Sequence, residues 1–235
     1  MSFKREKCLK EFLKGEELTQ GLLSLGVRID SKFTNKKLFL PEDVLVSASI
    51  EGVEGKYRTL SLVASWCFYH FQKINVTCLI NQVSKIENPV VRAFWSAMGT
   101  ALSKDRRFKK LEKVYSGPRI NCPGAEGFHF KKYGEDQNFI NSVLKVPANG
   151  LIRIREKDTV SPSELCKINP FYKWRTIIGP SYRADMWALA ENNKNTKASE
   201  LARKSHGSFA TAYAVLQDQR YLAAANGNSA YRSRC

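Results

Sequence analysis

The chain has 235 residues and is 43% hydrophobic, which is enough apolar side-chain area for a folded globular protein of this size. No apolar run approaches the ~20 residues that cross a bilayer. Lys and Arg number 38 against 22 Asp and Glu, a net charge of +16. Because such a surplus repels itself unless a polyanion offsets it, nucleic acid is the first partner to consider. Alternatively, the charge only keeps the protein in solution; a membrane surface is a weaker candidate, since no basic amphipathic helix stands out.

The N-terminus leads into no apolar signal segment, so we expect a cytoplasmic protein. The cysteines are scattered, with no CxxC pair and no His at the spacing of a zinc site. We therefore expect mostly reduced, buried thiols, no bound metal and no cofactor, with a disulfide framework as the alternative. They are Cys8, Cys67, Cys78, Cys122, Cys166 and Cys235.

Residues 1–113 are predicted to form a helical N-terminal domain. Apolar residues at near-helical spacing predict one broken or two short helices over 4–25, and Pro41 followed by two acids is typical of a helix start. Dense apolar residues over 57–74, the stretch 76–85 and an apolar stripe after Pro89 predict three more helices. A basic run at 104–113 could contact a phosphate backbone, although such a run is more often a solvated helix face.

Residues 114–150 are rich in Gly, Pro and Asn and are predicted to be a loop-rich connection, which places a domain boundary near Gly150. Within it, 127–132 is predicted to be a short strand. The following segment, 151–179, begins with a period-two alternation at 151–155 that predicts a strand. Ser161, a Pro and an acid then predict a short helix.

Residues 180–235 carry local signals that agree with one another. Ser181 is placed to cap one helix, Thr196 a second over 198–204, and Ser208 a third from Phe209 to about Gln219. Two short helices joined by a tight turn after another helix form the scaffold of a DNA reader.

Residues 197–204 (KASELARK) and 208–216 (SFATAYAVL) resemble the helix-turn-helix of bacterial winged-helix transcriptional regulators, over about a quarter of the chain. The resemblance implies that the small Ala202 lets two helices cross closely. It also implies a core of Leu201, Ala212 and Leu216 beneath them, and a homodimer.

The same family continues into a two-stranded wing, for which the chain offers 220–224 and 229–232 around Asn226 and Gly227, a pair suited to a tight hairpin turn. Two features depart from the family pattern. His206 stands where a left-handed Gly is common, and the third helix has no Arg or Lys before Arg220, so strong guanine readout is not expected.

The predicted DNA contacts combine cations for phosphates with side chains at the start of the third helix for base edges. They are Lys197, Ser199, Arg203, Lys204, Ser208, Phe209, Thr211, Tyr213, Arg220, Arg232 and Arg234. We expect modest specificity for A·T-rich sites, with Phe209 against a thymine methyl and the wing arginines in a narrow minor groove. In the alternative interpretation, Phe209 turns inward and completes the small core.

Together these features predict a mainly α fold with small β elements, formed by the helical N-terminal region and a winged helix-turn-helix over 180–235. The predicted function is that of a bacterial-type transcriptional regulator on duplex DNA, with an antitoxin that represses its own operon as one specific version. A protein partner could bind the N-terminal domain. The alternatives are a protein–protein adaptor and a structural RNA binder. Catalysis is not expected, because His70, His129 and His206 have no visible catalytic partner and no P-loop or HExxH motif is present.

Overall fold

The computed structural model describes residues 12–34 and 37–225. The described chain is mainly helical, as predicted, and its helices are α1 Gly15–Ser24, α2 Pro41–Val53, α3 Tyr57–His70, α4 Val76–Val83, α5 Pro89–Ala101, α6 Gly127–Tyr133, α7 Pro162–Ile168, α8 Pro170–Ile178, α9 Tyr182–Asn192, α10 Ala198–Lys204 and α11 Phe209–Ala225. Three 3-10 helices of the described chain span Phe71–Lys73, Arg106–Val114 and Glu156–Asp158. Strand β1 (Ile120–Asn121) pairs in parallel with β2 (Leu144–Lys145). None of the described helices is long and apolar enough to span a membrane.

Several helices, including α5 and α7, begin where the sequence supplies side chains that satisfy the first free backbone N–H groups. Asn88 precedes α5 and its Oδ1 accepts from the Val90 N–H at 2.9 Å. Ser161 and Glu164 form a reciprocal pair at the start of α7, in which the Ser161 Oγ accepts from the Glu164 N–H at 3.3 Å and the Glu164 carboxylate accepts from the Ser161 N–H at 3.0 Å. These short-range signals explain why α5 and α7 start where the sequence predicts.

The main core lies among α2, α3 and α5. Trp66 and Trp95 are fully buried there, and each finds a partner for its indole N–H. Trp66 Nε1 donates to the Leu25 carbonyl at 2.9 Å, and Trp95 Nε1 donates to Ser49 Oγ at 2.8 Å. The large rings are therefore both buried and hydrogen-bonded.

The predicted connection contributes to this same core. Phe139 and Leu144 from 114–150 are buried in it, together with Ile152 from beyond Gly150. The division of the chain into domains at these positions stays a prediction.

The predicted strand at 151–155 is wrong. Its backbone bonds to two serine side chains of α3 and not to another strand: the Arg153 and Arg155 N–H groups donate to Ser61 Oγ and Ser65 Oγ, both at 3.0 Å. Each serine hydroxyl in turn donates to a carbonyl of the segment. Two serines one helical turn apart thus satisfy an extended segment on a helix surface.

The predicted strand at 127–132 is also wrong, because this segment is helix α6. Glu126 precedes the helix, and its N–H donates to the Nδ1 of His129 at 2.9 Å. His129 therefore closes a helix cap, a role that its sequence neighbours did not indicate.

Candidate nucleic-acid interface

Helices α9, α10 and α11 form a unit with a small core of its own. Its fully buried members include Met186 from α9, Leu201 from α10, and Ala212 and Val215 from α11. Leu216 and Ala202 pack against this cluster. The core residues expected from the resemblance, Leu201, Ala212 and Leu216, are thus brought together beneath α10 and α11.

The turn between α10 and α11 is closed by two backbone hydrogen bonds. The Gly207 N–H donates to the Ala202 carbonyl at 3.0 Å, and the His206 N–H donates to the Arg203 carbonyl at 3.3 Å. This is the Schellman pattern, in which the residue after the helix cap takes a left-handed conformation. His206 has φ of +55°, so a His adopts here the conformation that a Gly adopts more easily.

Gly207 holds this turn close to α9. A Cβ added at Gly207 would lie 2.4 Å from Cε of Met186. A larger residue here would require the flexible end of the Met186 side chain to shift. The expected cap by Thr196 is wrong: Lys197 occupies the cap position of α10 without a side-chain hydrogen bond, and Thr196 is buried.

Ser208 caps α11 as predicted, since its Oγ accepts from the Thr211 N–H at 3.1 Å. The hydroxyls of Ser208 and Thr211 also bond to each other at 2.7 Å. Because that bond uses one of the two hydroxyl hydrogens, the pair keeps one donor and free acceptor lone pairs. These groups lie at the N-terminal end of α11, where a recognition helix contacts base edges.

Phe209 and Tyr213 project from α11 into solvent, with 54% and 53% of their surface exposed. The interpretation in which Phe209 turns inward to complete the small core is therefore wrong. The two rings are four residues apart and share one face of the helix. Tyr213 is oriented by Gln217, whose Nε2 donates to the Tyr213 hydroxyl at 2.8 Å.

The predicted cations that the structure describes lie on the surface of this unit. Lys197, Arg203, Lys204 and Arg220 are exposed, as is Ser199. Lys204 Nζ lies 2.7 Å from a carboxylate oxygen of Glu200, one turn away on α10. An exposed pair of this kind is weak, so Lys204 can exchange it for a phosphate at little cost. Arg232 and Arg234 lie outside the described residues.

The predicted wing is wrong in its first strand, because residues 220–224 continue helix α11 to Ala225. Leu222 and three following alanines are strong helix formers, and their propensity outweighs the weak alternation that predicted a strand. The second predicted strand, with Asn226 and Gly227, lies outside the described residues. The described part of the unit is therefore a helix-turn-helix on a supporting helix, without a wing.

A buried charged cluster joins this unit to the rest of the protein. Arg175 of α8 is fully buried, and its Nη1 and Nη2 donate to the two carboxylate oxygens of Glu42 in α2, both at 2.7 Å. Its Nε donates to Asp185 Oδ1 in α9 at 2.7 Å, and its Nη1 also donates to the Lys73 carbonyl. Sequence reasoning missed this cluster, since nothing local distinguishes these three charged residues from surface ones.

The turn itself is tied to α2 beside this cluster. His206 Nε2 lies 3.5 Å from Asp43 Oδ1, and Gln82 of α4 donates to the same oxygen at 2.6 Å. Burial raises the pKa of Asp43, while hydrogen bonds from His206 and Gln82 act in the opposite direction. Burial likewise raises the pKa of Asp185 to about 6, although Arg175 favours its charged form. The left-handed turn therefore contacts α2 through His206 and Asp43, on the side facing the protein body.

The residues considered for catalysis and metal binding are placed as structural groups. His70 is buried, its Nδ1 lies 3.0 Å from the Tyr172 hydroxyl, and burial lowers its pKa to about 4. Cys67, Cys78 and Cys122 are buried free thiols, and Cys166 is half-buried and free. Cys8 and Cys235 lie outside the described residues. Within the described ranges, no group of three or more His, Cys, Asp or Glu side chains is arranged to hold a metal ion.

Comparisons of the chain with protein-family models, with curated proteins and with solved structures found no match. The function of the three-helix unit is therefore inferred from its own surface. That surface combines exposed aromatic rings, paired hydroxyls and four cations around α10 and α11.

Proposed function

We propose that this protein binds duplex DNA through the helix-turn-helix formed by α10 and α11, in the role of a bacterial-type transcriptional regulator. The observation that carries the proposal is the outward position of Phe209 and Tyr213 at the start of α11. Two aromatic rings left half in water on a well-packed unit gain free energy when a partner covers them. A thymine methyl in the major groove offers an apolar contact of this kind.

The spacing of these side chains suits a base-pair stack. Phe209 and Tyr213 are separated by four residues, or about 6 Å along the helix axis. Base pairs rise by about 3.4 Å, so the two rings span about two steps. The hydroxyl pair of Ser208 and Thr211 lies within the same first turn and supplies hydrogen-bonding groups. This combination supports modest specificity, with apolar contacts outweighing bidentate readout.

We call the surface formed by Phe209, Tyr213 and the Ser208–Thr211 hydroxyl pair the reading surface. The exposed cations lie on either side of it. Lys197 precedes α10, while Arg203 and Lys204 are in its last turn, immediately before the turn that leads to α11. Contacts from these residues to phosphates would fix the orientation of α11 on the duplex. Arg232 and Arg234, near the C-terminal end of the chain, remain proposed DNA contacts.

The test is a salt titration of DNA binding. Lys197, Arg203 and Lys204 are changed together to Ala, and the matched control changes three exposed lysines on α6 and α7 to Ala, namely Lys131, Lys132 and Lys167. Fluorescence anisotropy measures the affinity for a labelled A·T-rich duplex between 50 and 200 mM salt. Each lost phosphate contact should reduce the magnitude of the negative slope of log K against log salt by about 0.9, so the triple change should reduce it by up to about 2.7. A slope no different from that of the control would refute the proposed role of these cations.

A protein–protein adaptor is the second candidate, and the end of α11 favours it. Tyr221 and Leu222 are 71% and 52% exposed, which leaves an apolar surface beyond the proposed reading face. This surface also suits the homodimer that the resemblance implies. Changing Tyr221 and Leu222 to Ser should leave DNA binding per monomer intact and reduce self-association in sedimentation velocity. If this variant no longer binds a protein partner but keeps the wild-type DNA affinity and the wild-type mass in sedimentation, the adaptor is favoured.

If the wild type binds single-stranded RNA in preference to duplex DNA in a competition assay, an RNA binder is favoured.

A further inference from the structure

The basic run after α5 forms a 3-10 helix, Arg106–Val114, with one buried face. Phe108, Leu111 and Val114 are buried, and they recur at every third position. A 3-10 helix has three residues per turn, so these three side chains align on one side. The cations of the helix, and Lys104 just before it, are exposed on the other sides. We call Lys104, Arg106, Lys109, Lys110 and Lys113 the basic ridge.

The backbone beneath the basic ridge is held by α5. Ser96 Oγ donates to the Glu112 carbonyl at 2.5 Å, and Arg92 Nε donates to the Val114 carbonyl at 2.8 Å. A Cβ added at Gly99 would lie only 2.7 Å from the backbone nitrogen of Glu112, so the two backbones approach closely. The cations are therefore presented by a fixed support.

The charges of the basic ridge are not used within the described protein. None of its five cations forms an ion pair with a described carboxylate. The neighbouring Asp105 is occupied by Arg107, whose guanidinium hydrogen bond lowers the pKa of that carboxyl, and Arg107 also donates to the Ile74 carbonyl. Residues 104–113 contain six Lys and Arg and two acids, whereas residues 180–225, which include the helix-turn-helix, contain six and four. The charge surplus is thus denser on the ridge than on the proposed reading unit.

We propose that the basic ridge is a second DNA-binding surface, which contacts the phosphate backbone of a duplex without reading its sequence. From Arg106 to Lys113 the 3-10 rise of about 2.0 Å per residue spans about 14 Å. One strand of B-DNA presents about four phosphates over that axial length. The cations lie on the two exposed sides of a rigidly supported 3-10 helix, and their combined length matches this array.

The side chains of the ridge favour a duplex over a single strand or an anionic membrane. Proteins that bind single strands add exposed aromatic rings on which bases stack, but Phe108 is buried under the ridge. Binding to an anionic membrane uses an apolar face that enters the lipid, but the apolar face here, including Leu111, packs on α5 and α4. The ridge therefore offers charge without a stacking or inserting group.

The experiment changes Lys109, Lys110 and Lys113 to Ala and measures duplex affinity by anisotropy from 50 to 200 mM salt. The control is again Lys131, Lys132 and Lys167 changed to Ala, which removes the same charge. The magnitude of the negative salt slope should fall by up to about 2.7, so the wild type should lose up to about 40-fold more affinity over this range than the ridge variant. A second variant with the three ridge lysines changed to Arg keeps the charge and should retain wild-type affinity, which separates charge from folding defects.

The ridge proposal rests on the proposed function only because both take duplex DNA as the ligand. The two variants distinguish the failure of the ridge proposal from the failure of the proposed function. If the helix-turn-helix variant loses affinity and the ridge variant matches the control, the ridge proposal is overturned and the proposed function stands. If only the ridge variant loses affinity, the proposed role of α10 and α11 fails and the ridge proposal stands. A ridge effect seen only with phosphatidylserine vesicles or single-stranded RNA, or a wild type that binds no duplex, overturns the ridge proposal.

Discussion

Changing Arg175 to Met tests the buried charged cluster that joins α2, α8 and α9. The guanidinium makes four hydrogen bonds, three of them to the carboxylates of Glu42 and Asp185, and these three side chains are at most 1% exposed. Met has a similar length and an apolar surface, so it fills the space without supplying charge. Two carboxylates then remain buried without their partner.

The expected cost is large, because an uncompensated buried charge is more expensive than a missing contact. Removing one partner of a buried pair typically costs about 3–5 kcal/mol. This is a substantial part of the 5–15 kcal/mol that stabilises a typical domain. We therefore expect Arg175→Met to lower the free energy of unfolding by about 3–5 kcal/mol at pH 7. The loss should shrink at pH 5, because burial raises the pKa of Asp185 to about 6 and its carboxylate takes up a proton more readily there.

Urea unfolding followed by circular dichroism measures this effect. Lys173→Met is the control on the same helix: its ammonium pairs with Glu191 at 2.7 Å but is 41% exposed, so its loss should cost no more than about 1 kcal/mol. Adding Glu42→Gln and Asp185→Asn to Arg175→Met removes the stranded charges and should recover part of the stability. An Arg175→Met protein as stable as the Lys173→Met control would refute the buried-charge reasoning.

Three further predictions concern single side chains. Because its ring is exposed, Phe209→Ala should change the free energy of unfolding by no more than about 0.5 kcal/mol. In competition binding, the same change should reduce discrimination at one base pair by about 1–3 kcal/mol. A destabilised variant that keeps its site preference would contradict this prediction. Burial lowers the pKa of His70 to about 4, so the unfolded chain takes up a proton on this residue at a higher pH than the folded protein does. The wild type should therefore lose stability as pH falls from 6.5 to about 4, and His70→Phe should remove this part of the pH dependence of urea unfolding. Curves of unfolding free energy against pH that run parallel for the two proteins would argue against it. Gly99→Ala should lower the free energy of unfolding by about 1–3 kcal/mol, because the added methyl meets the Glu112 backbone. Gly127→Ala, where the added methyl meets open space, is the control. Equal unfolding midpoints for the two variants would exclude the close approach.

Several elements could be predicted because their signals act over a few residues. The starts of α5, α7 and α11 depend on Asn88, Ser161 and Ser208, each of which bonds to an N–H two or three residues ahead. The resemblance to winged-helix regulators implied the core of Leu201, Ala212 and Leu216, and the structure brings these residues together. Local chemistry alone therefore indicated where these helices begin and which of their faces are apolar.

The wrong predictions arose where the partner of a segment is distant in the chain. The alternation at 151–155 indicated a strand, but its hydrogen bonds go to serines about 90 residues earlier on α3. An alternation with a period of two residues indicates an extended backbone, but it does not identify the groups that form hydrogen bonds with that backbone. Residues 220–224 show the opposite case, in which helix propensity in continuation of α11 outweighs a weak alternation.

The sequence by itself determined the helical class, most helix starts and the positive charge, because propensity, capping and composition need no distant partner. Only the tertiary structure decided that Arg175 is buried, since its carboxylate partner Glu42 lies 133 residues away. It also decided that Phe209 faces solvent, because the small core is already filled by residues of α9, α10 and α11. The same charged or aromatic residue has one local propensity in both situations, and its burial depends on what packs against it.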